Sequence, residues 1–405
     1  MPRLGVSWWH DRASSARRPR YPVCRGELEA DVVVIGGGLT GAVAACVLAR
    51  GGLDVVLVEA GRLAEGQTAA GLGCLVSDPA PSFVTTTAAT GLRTAKAAWR
   101  VARTSARELA AAIRRLKIRC DLTATTLVTG AADLTQVTAL RREQAARRAA
   151  GFEAPWLKPA QLHTLLGLDL AGGMRTDPAA TFDPVLATFG FAKAAAAAGA
   201  RIFESSPVRR TTFDRNRAEV RLADAVIRTS GVYVATGVPG SLFGQLRRHV
   251  REQEAFVVVT EPLETAMKRQ TGRRTALFTE ATAEPHWLRW LKGDRAMFAG
   301  AVGPVVPARQ RERVLVQKTG QLMYELSLRY PVISGLPAAA GWPLRIASAA
   351  DGLPYIGMHR NYPFHYFALG LGWHGETFAW FAAKSALRRF SGRPERGDDL
   401  FGFGR

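Results

Sequence analysis

Two short apolar runs near the start of the chain flank a longer segment of helical character. Residues 32–35 read Val-Val-Val-Ile, and residues 54–59 contain a second run, Val-Val-Leu-Val. β-branched runs of this kind are typical of parallel strands that are buried on both faces. The apolar, alanine-rich segment between the two runs has the length of a helix. The pattern therefore predicts a strand, a helix and a second strand in the first 60 residues.

The rest of the chain alternates between helical and strand-like patterns. Helices are predicted over 92–118, 133–150, Pro159–Leu166, 184–198, 311–328 and a last segment ending at Phe390. Strands are predicted over 122–128, 201–204, 206–208, 231–237, 255–260, 276–278, Trp287–Leu291 and 296–301. Residues 211–214, 217–222 and 225–229 alternate as a small antiparallel meander does. The glycine-punctuated segment 60–73 is predicted to be a non-helical loop that folds back over a ligand.

The junction between the first strand and the helix contains glycines at a spacing typical of a dinucleotide-binding turn. Gly36, Gly38 and Gly41 form a G-x-G-x-x-G pattern, and Glu59 follows the second strand. In such a unit the glycines allow a tight turn, a close approach to a pyrophosphate, and contact between helix and strand. The helix N-terminus offers N–H groups to the phosphates, and the acid accepts a ribose hydroxyl. The sequence therefore predicts dinucleotide binding in the first 60 residues.

Composition and charge exclude little. The 405 residues are 47% hydrophobic, which is enough for two or three cores, and the formal net charge is +20. Arginines outnumber lysines and are scattered, so the charge indicates either an anionic partner or a coding bias. Cys24, Cys46, Cys74 and Cys120 lie far apart, without the spacing of a metal site or a disulfide framework. A reducing cytoplasm fits this pattern best, and the basic segment 1–25 lacks the apolar core of a signal peptide.

Further along the chain, several blocks resemble one protein family. These are the Gly36 fingerprint with Glu59, the Gly66-x-Thr68 loop, residues 182–208, residues 234–237, and the glycine-rich tail 352–375. Together they resemble the D-amino-acid oxidase-like FAD oxidoreductases, which include glycine, sarcosine and γ-glutamylputrescine oxidases. The resemblance covers nearly the full length.

The resemblance implies a fold and a division of the chain. The fold class is mixed α/β, with a Rossmann-like FAD-binding domain and an interleaved antiparallel-sheet substrate domain. The FAD-binding domain is expected over 1–85, 175–245 and 335–405, and the substrate domain over 86–174 and 246–334.

The resemblance also implies FAD as a non-covalent cofactor, because the chain has no cysteine after Cys120. In such proteins the acid matching Glu59 holds the adenosine ribose, and the tail turn lies near the flavin pyrimidine. A helix N-terminus and a donor such as His374 would there stabilise the negative charge of reduced flavin. The expected cofactor-binding residues are Gly36, Gly38, Leu39, Thr40, Gly41, Glu59, Ala60, Gln67, Thr68, Val208, Ala235, Thr236, Gly237, Gly372, Trp373, His374, Gly375, Glu376 and Thr377.

Four residues are candidates for contact with substrate. Arg289 lies in a strand that resembles the flavin-facing strand of the family, and it either binds substrate or flavin or is a structural arginine. Strand alternation places His286 on the opposite face from Arg289, where it either lines the pocket or is a core histidine. Arg345 lies close to where relatives keep a carboxylate-binding arginine, with its spacing shifted by one residue. His374 either touches flavin or substrate or only packs.

Two departures from the family pattern affect the site. Thr68-Ala-Ala70 replaces a Ser-Gly-Arg type sequence, which changes the contacts of the loop with flavin or substrate. Trp373 replaces a small residue, which narrows the space beside the flavin ring.

The function predicted from these observations is oxidation of the C–N bond of a small amine or amino acid, by hydride transfer to flavin N5. Such a transfer needs orientation and a neutral amine more than a catalytic triad. The expected partners are that substrate and an electron acceptor, oxygen or quinone. Two alternatives remain: a membrane-surface dehydrogenase that donates to quinone, with Trp8 and Trp9 as an interfacial arm, and a flavoprotein that acts on RNA. No RNA-binding stripe is evident, so a nucleic-acid partner is not expected.

Overall fold

The structure is a computed structural model that describes residues 2–12, 18–79 and 82–405. Within these ranges, the side chains of all residues except 11 and 12 are described. The architecture is built on two sheets. One sheet has eight strands and the other has ten. The mixed α/β fold class predicted from the sequence is confirmed. Within these ranges no helix is long and apolar enough to cross a membrane.

The elements alternate along the chain. The strands are β1 (Arg3–Leu4), β2 (Gly26–Ile35), β3 (Val55–Val58), β4 (Cys74–Leu75), β5 (Thr123–Ala131), β6 (Trp156–Leu157), β7 (Gly172–Thr181), β8 (Arg201–Phe203), β9 (Arg210–Phe213), β10 (Ala218–Arg221), β11 (Ala225–Gly237), β12 (Arg251–Thr260), β13 (Leu277–Glu280), β14 (Trp287–Leu291), β15 (Arg295–Gly303), β16 (Ala338–Ser348), β17 (Tyr355–His359) and β18 (Tyr362–Leu369). The helices are α1 (Trp8–Arg12), α2 (Leu39–Arg50), α3 (Gln67–Ala70), α4 (Phe83–Thr90), α5 (Leu92–Arg115), α6 (Leu134–Ala149), α7 (Pro159–Leu166), α8 (Pro184–Ala197), α9 (Thr265–Gln270), α10 (Arg311–Arg329) and α11 (Gly375–Phe390). Short 3-10 helices cover Gly244–His249, Ala308–Gln310, Pro331–Ile333 and Gly372–His374.

The smaller sheet holds the predicted dinucleotide unit. Its strands run in the order β17-β18-β11-β2-β3-β8, and β18, β11, β2, β3 and β8 are parallel. Residues 32–34 are 0–1% exposed, because helix α2 covers one face and a second apolar cluster covers the other. The carboxyl ends of the parallel strands β2, β3, β11 and β18 meet at one edge, which is where ligands bind in open α/β sheets.

The larger sheet has two faces of different character. Its strand order is β1-β16-β12-β15-β14-β13-β5-β7-β4. Alternate residues of β12, β14, β15 and β16, such as Trp287 and Trp342, belong to the core shared with α2, α8 and α11, and we call this side the inner face. The residues between them, such as Phe256 and Phe298, pack with Leu315 and Leu322 of α10, and we call that side the outer face.

Most predicted elements are confirmed, and three segments differ. Residues 67–70 form helix α3, because the short run Gln-Thr-Ala-Ala contains no glycine. Residues 206–208 form no strand, since Ser205 has a φ of +48° and the Glu204 carboxylate accepts the Leu63 N–H at 2.8 Å. Residues 225–229 and 231–237 are one long strand, β11, which pairs with both β10 and β2.

The N-terminal segment is anchored against the larger sheet. Strand β1 pairs in parallel with β16, and Gly5 N–H donates to the Gly341 carbonyl at 2.8 Å. Trp9 is 3% exposed, and the Arg295 guanidinium lies 5.1 Å from the ring centre of Trp8. Both tryptophans therefore pack inside the protein, and neither stands out as an exposed interfacial anchor.

The predicted division into two domains stays a prediction. Strands β1, β4, β16 and most of β7 belong to the larger sheet, although they lie in segments that the prediction assigns to FAD binding. The two sheets therefore share chain segments at several places, and the cavity described below lies between them.

Candidate functional site

One large cavity joins the glycine turns of the smaller sheet to the inner face of the larger one. Its volume is about 1060 Å³, slightly above the ~300–1,000 Å³ typical of ligand pockets. Gly36, Ala235 and Gly372 all border it, although they are far apart in the sequence. The three turns therefore surround a shared elongated space.

The first glycine turn is packed so tightly that side chains cannot replace its hydrogens. Gly36 has a φ of +109°, and a Cβ there would lie 2.7 Å from the Ala235 carbonyl oxygen. A Cβ on Gly41 would collide with the Gly36 carbonyl oxygen, so Gly41 brings α2 against the turn. A Cβ on Gly38 would lie 2.9 Å from the Thr68 hydroxyl, inside the cavity wall.

Glu59 and Thr68 hold the backbone around this turn. The Glu59 carboxylate accepts the N–H of Gly37 at 2.6 Å and that of Gly61 at 2.8 Å. The Thr68 hydroxyl accepts the Leu39 N–H at 2.8 Å, at the first residue of α2. These bonds tie the loop of α3 to the start of α2, so that the loop covers the turn.

Most of the predicted cofactor-binding residues border this cavity. Those in its lining are Gly36, Gly38, Leu39, Thr40, Glu59, Ala60, Gln67, Thr68, Val208, Ala235, Thr236, Gly237, Gly372, Trp373, Gly375 and Glu376. Gly41, His374 and Thr377 are outside the lining. Gly41 packs behind the turn, and the Thr377 hydroxyl donates to the Val76 carbonyl at 2.8 Å.

Glu376 borders the cavity where the turn at residues 372–375 leads into α11. It lies in the first turn of α11 and accepts the backbone N–H groups of Gly73 and of Glu376 itself. Burial raises the pKa of Glu376 to about 7, although those N–H groups and Arg289 act in the opposite direction. The side chain therefore exchanges a proton close to neutral pH.

His374 lies two residues before Glu376 in the chain, and its side chain is buried. It is 5% exposed, and its ring lies 4.7 Å from that of Trp287 in an edge-on arrangement. Burial lowers the pKa of His374 to about 4, so the imidazole is neutral at pH 7. Its Nδ1 has no hydrogen-bond partner among the described residues.

Arg289 faces inward but is bound to the backbone. Its Nη1 donates to the carbonyl oxygens of Leu72 at 2.6 Å, Gly73 at 2.8 Å and Phe182 at 2.9 Å. The guanidinium lies over Trp9 at 4.8 Å, and burial lowers its pKa. Arg289 lines a second, smaller cavity of about 370 Å³ instead of the main one.

His286 lies on the outer face, as alternation from Arg289 requires. Its Nδ1 is 2.8 Å from Glu280, and its Nε2 is 2.7 Å from Glu325 of α10. The ring stacks on Phe298 at 4.9 Å. The structure therefore keeps His286 out of the main cavity and satisfies both ring nitrogens.

Arg345 borders the main cavity, but its side chain belongs to the outer side of β16. Leu344 and Ile346, which precede and follow it, both belong to the inner core with Trp342. Arg345 lies 3.5 Å from Glu252 and pairs in register with Glu254 of β12. The one-residue shift in spacing thus turns this arginine to the other face of the strand.

Sequence reasoning missed several lining residues. Trp342, Leu344 and Ile346 form part of the wall, and so do Ser7 and His10 of the N-terminal segment. Alternation along β16 could have identified the first three, once the strand was recognised. Nothing in the sequence of residues 3–12 indicates that this segment reaches the cavity.

Comparison with known proteins places this geometry in a family. The model of the FAD dependent oxidoreductase family, DAO, matches residues 31–389. The chain belongs to this family. The resemblance inferred from the sequence is therefore confirmed, and so are the flavin cofactor and the oxidoreductase class.

Related proteins and solved structures agree with this assignment. The chain is 23% identical over 374 residues to "Probable oxidoreductase OrdL" of Haemophilus influenzae, covering 91% of this chain and 84% of the relative. It is 23% identical to the gamma-glutamylputrescine oxidoreductase of Escherichia coli, covering 95% and 89%. Glycine oxidase from Geobacillus kaustophilus has the same fold, with a TM-score of 0.76, 20% identity and coverage of 93% and 99%.

The residues of this chain fit FAD. The turn has no room for a Cβ at Gly36, which packs against the Ala235 carbonyl, or at Gly38, which packs against the Thr68 hydroxyl, so the bare backbone of the turn borders the cavity as a pyrophosphate site requires. Glu59 offers carboxylate oxygens beside this turn, and the same cavity is also bordered by Gly372 and Glu376. The donor set suits a ribose, two phosphates and a ring system.

Proposed function

We propose that this FAD-dependent oxidoreductase oxidises the C–N bond of a small amine or amino acid, with hydride transfer to N5 of a non-covalently bound flavin. The observation that carries the proposal is the continuity of the cavity from the Gly36 turn to the inner face of the larger sheet. Bound FAD supplies the hydride acceptor. The residues of this chain supply binding, orientation and a route for the proton.

The proposed binding roles follow the cavity wall. Glu59 would hold the ribose, and the start of α2 would face the diphosphate with its N–H groups and positive dipole end. Gln67 and Thr68 border the cavity and would lie along the diphosphate or flavin, and the backbone of Val208 would meet the adenine. The turn at residues 372–376 leads into α11, whose N-terminus would stabilise negative charge on the ring.

Glu376 is the proposed proton acceptor for the substrate. An ammonium group must lose a proton before its neighbouring C–H bond can release a hydride. The ionised Glu376 carboxylate first attracts the ammonium and then takes its proton. Burial raises the pKa of Glu376 to about 7, so this group can take up and release a proton near neutral pH.

Anaerobic reduction tests this proposal. The protein is purified with FAD, mixed with amines, with D- and L-amino acids and with N-methyl compounds in the absence of oxygen, and its visible flavin absorbance is followed. Bleaching by at least one of these compounds is expected. A bound flavin that dithionite reduces, but that no C–N compound reduces, would contradict the proposal.

The electron acceptor is proposed to be oxygen or a quinone. Reoxidation of the substrate-reduced protein by air, with formation of hydrogen peroxide, identifies an oxidase. Reoxidation by a soluble quinone but not by air identifies a dehydrogenase.

A further inference from the structure

Charge is distributed unevenly around the main cavity. The basic side chains in the lining between β12 and α10 are Arg311 and Arg345, and both lie on the outer side. Arg311 is exposed at the start of α10, and Arg345 lies 3.5 Å from Glu252. Neither points from the inner face towards the turn that carries Glu376.

The inner face offers apolar side chains to the same end of the cavity. Trp342, Leu344 and Ile346 alternate along β16 and are between 2% and 7% exposed. The Trp342 indole N–H donates to the Ala70 carbonyl at 3.0 Å, which fixes this face against the loop of α3. Leu371 and Trp373 complete the wall from the opposite side.

Arg289 is a cation on the inner face, but its guanidinium is already bound. Three backbone carbonyl oxygens accept from its Nη1, and it lines the second cavity. Moving it towards a ligand would take that donor away from these buried carbonyl groups, which is unfavourable because a buried acceptor without a partner loses its hydrogen bond to water as well. Glu376 borders the cavity at the turn that leads into α11.

We propose that the end of this cavity bordered by Glu376 selects amines whose reacting carbon carries no carboxylate, and that it discriminates against α-amino acids. The proposal rests on the proposed C–N oxidation. A carboxylate on the reacting carbon would meet apolar walls and the like charge of Glu376, and a buried carboxylate without a cationic or hydrogen-bonding partner is strongly disfavoured. An ammonium group meets a carboxylate of opposite charge at the same place.

Matched substrates that differ only by the carboxylate test this selectivity. Benzylamine is compared with both enantiomers of phenylglycine, and butylamine with both enantiomers of norvaline, by anaerobic reduction of the bound flavin. We expect the amine of at least one pair to reduce the flavin ten times faster than its amino acid at equal concentration. An amino acid that reduces the flavin as fast as its amine overturns this inference but leaves the proposed function standing. If no compound reduces the flavin, the proposed function fails and the inference falls with it.

A binding measurement separates recognition from chemistry. Cumylamine and α-methylphenylglycine carry no hydrogen on the carbon next to nitrogen, so they bind without being oxidised. Both are titrated into the FAD-loaded protein, and the shift of the visible flavin spectrum is recorded. We expect cumylamine to half-saturate the protein at a concentration at least tenfold lower than α-methylphenylglycine does. Equal or tighter binding of α-methylphenylglycine overturns the inference.

Three substitutions test whether the inner face, and not Arg345 on the outer side, determines how carboxylates bind. Ile346→Arg places a guanidinium on the inner face and is expected to shift the ratio of the two half-saturation concentrations at least tenfold towards α-methylphenylglycine. Val316→Arg adds the same charge at an exposed position of α10 and is expected to leave that ratio unchanged. If Arg345→Leu weakens α-methylphenylglycine binding tenfold, the outer-face arginine does recognise carboxylates and the inference is overturned. The wild-type titrations decide the proposal even if Ile346→Arg does not fold.

Discussion

The indole N–H of Trp9 donates to the carbonyl oxygen of Gly71 at 2.8 Å. This bond connects the N-terminal segment, which lies outside the matched family region, to the loop that covers the cavity. The same indole lies under Arg289, whose Nη1 bonds the next two carbonyl groups of the loop. Trp9 therefore supports the loop and its arginine together.

Replacing Trp9 is expected to destabilise the protein in two steps. Trp9→Phe removes the bond to Gly71 and should lower the free energy of unfolding by about 1 kcal/mol. Trp9→Ala also removes a buried ring and should cost about 3–5 kcal/mol. Urea unfolding measures both values. Tyr324→Phe, at a side chain that is 64% exposed, is the control and should change stability by less than about 0.5 kcal/mol. A Trp9→Ala protein as stable as this control would contradict the anchoring role.

Glycine substitutions test the turn around Gly36 and Gly38. Gly41→Ala directs a methyl group at the Gly36 carbonyl oxygen, so we expect loss of FAD binding or of folding. Gly38→Ala brings a Cβ to 2.9 Å from the Thr68 hydroxyl and should weaken FAD binding at least tenfold. Gly320→Ala is the control, because Gly320 lies in α10 outside the cavity lining and no atom lies within 4 Å of its Cβ. The FAD dissociation constant of each variant is measured by fluorescence, and equal constants for Gly38→Ala and Gly320→Ala would argue against close backbone approach.

The sequence was most informative where local chemistry determines structure. The strand at residues 32–35, the glycine spacing and the start of helix α8 at residue 184 each depend on neighbouring residues, and the structure has all three. Which face Arg345 occupies depends on the register between β16 and β12, which is set by long-range pairing. The contribution of Ser7 to the cavity depends on the pairing of β1 with β16. Tertiary contacts of this kind leave no local pattern in the chain.

The cluster of His286, Glu280 and Arg329 should stabilise the outer face. Burial alone would raise the pKa of Glu280, but bonds from His286 and Arg329 lower it to about 2. A carboxyl group with a lowered pKa stabilises the fold above its unfolded value of about 4.5, and this contribution is lost as the pH falls towards 2.

Glu280→Gln is therefore expected to lower the free energy of unfolding by about 1–3 kcal/mol at pH 7. The difference from wild type should shrink between pH 4.5 and pH 2, where the wild-type carboxylate is protonated. Unfolding curves at several pH values measure this difference. Glu312→Gln, at an exposed residue of α10, is the control. A pH-independent difference would indicate lost packing instead of a lost charge interaction.

Glu376 should have the opposite pH dependence. Its pKa is raised from 4.5 to about 7, so between these values the folded chain keeps a proton that the unfolded chain releases. The free energy of unfolding contributed by this group therefore falls as the pH rises from 4.5 to 7, and changes little above 7. Glu376→Gln should remove that decline, and FAD-free protein unfolded by urea between pH 5 and pH 8 provides the measurement.

The same substitution should abolish any rise in the rate of anaerobic flavin reduction through pH 7. If wild type and Glu376→Gln lose stability in parallel across this range, then Glu376 does not carry a proton at neutral pH, and its proposed role as proton acceptor fails.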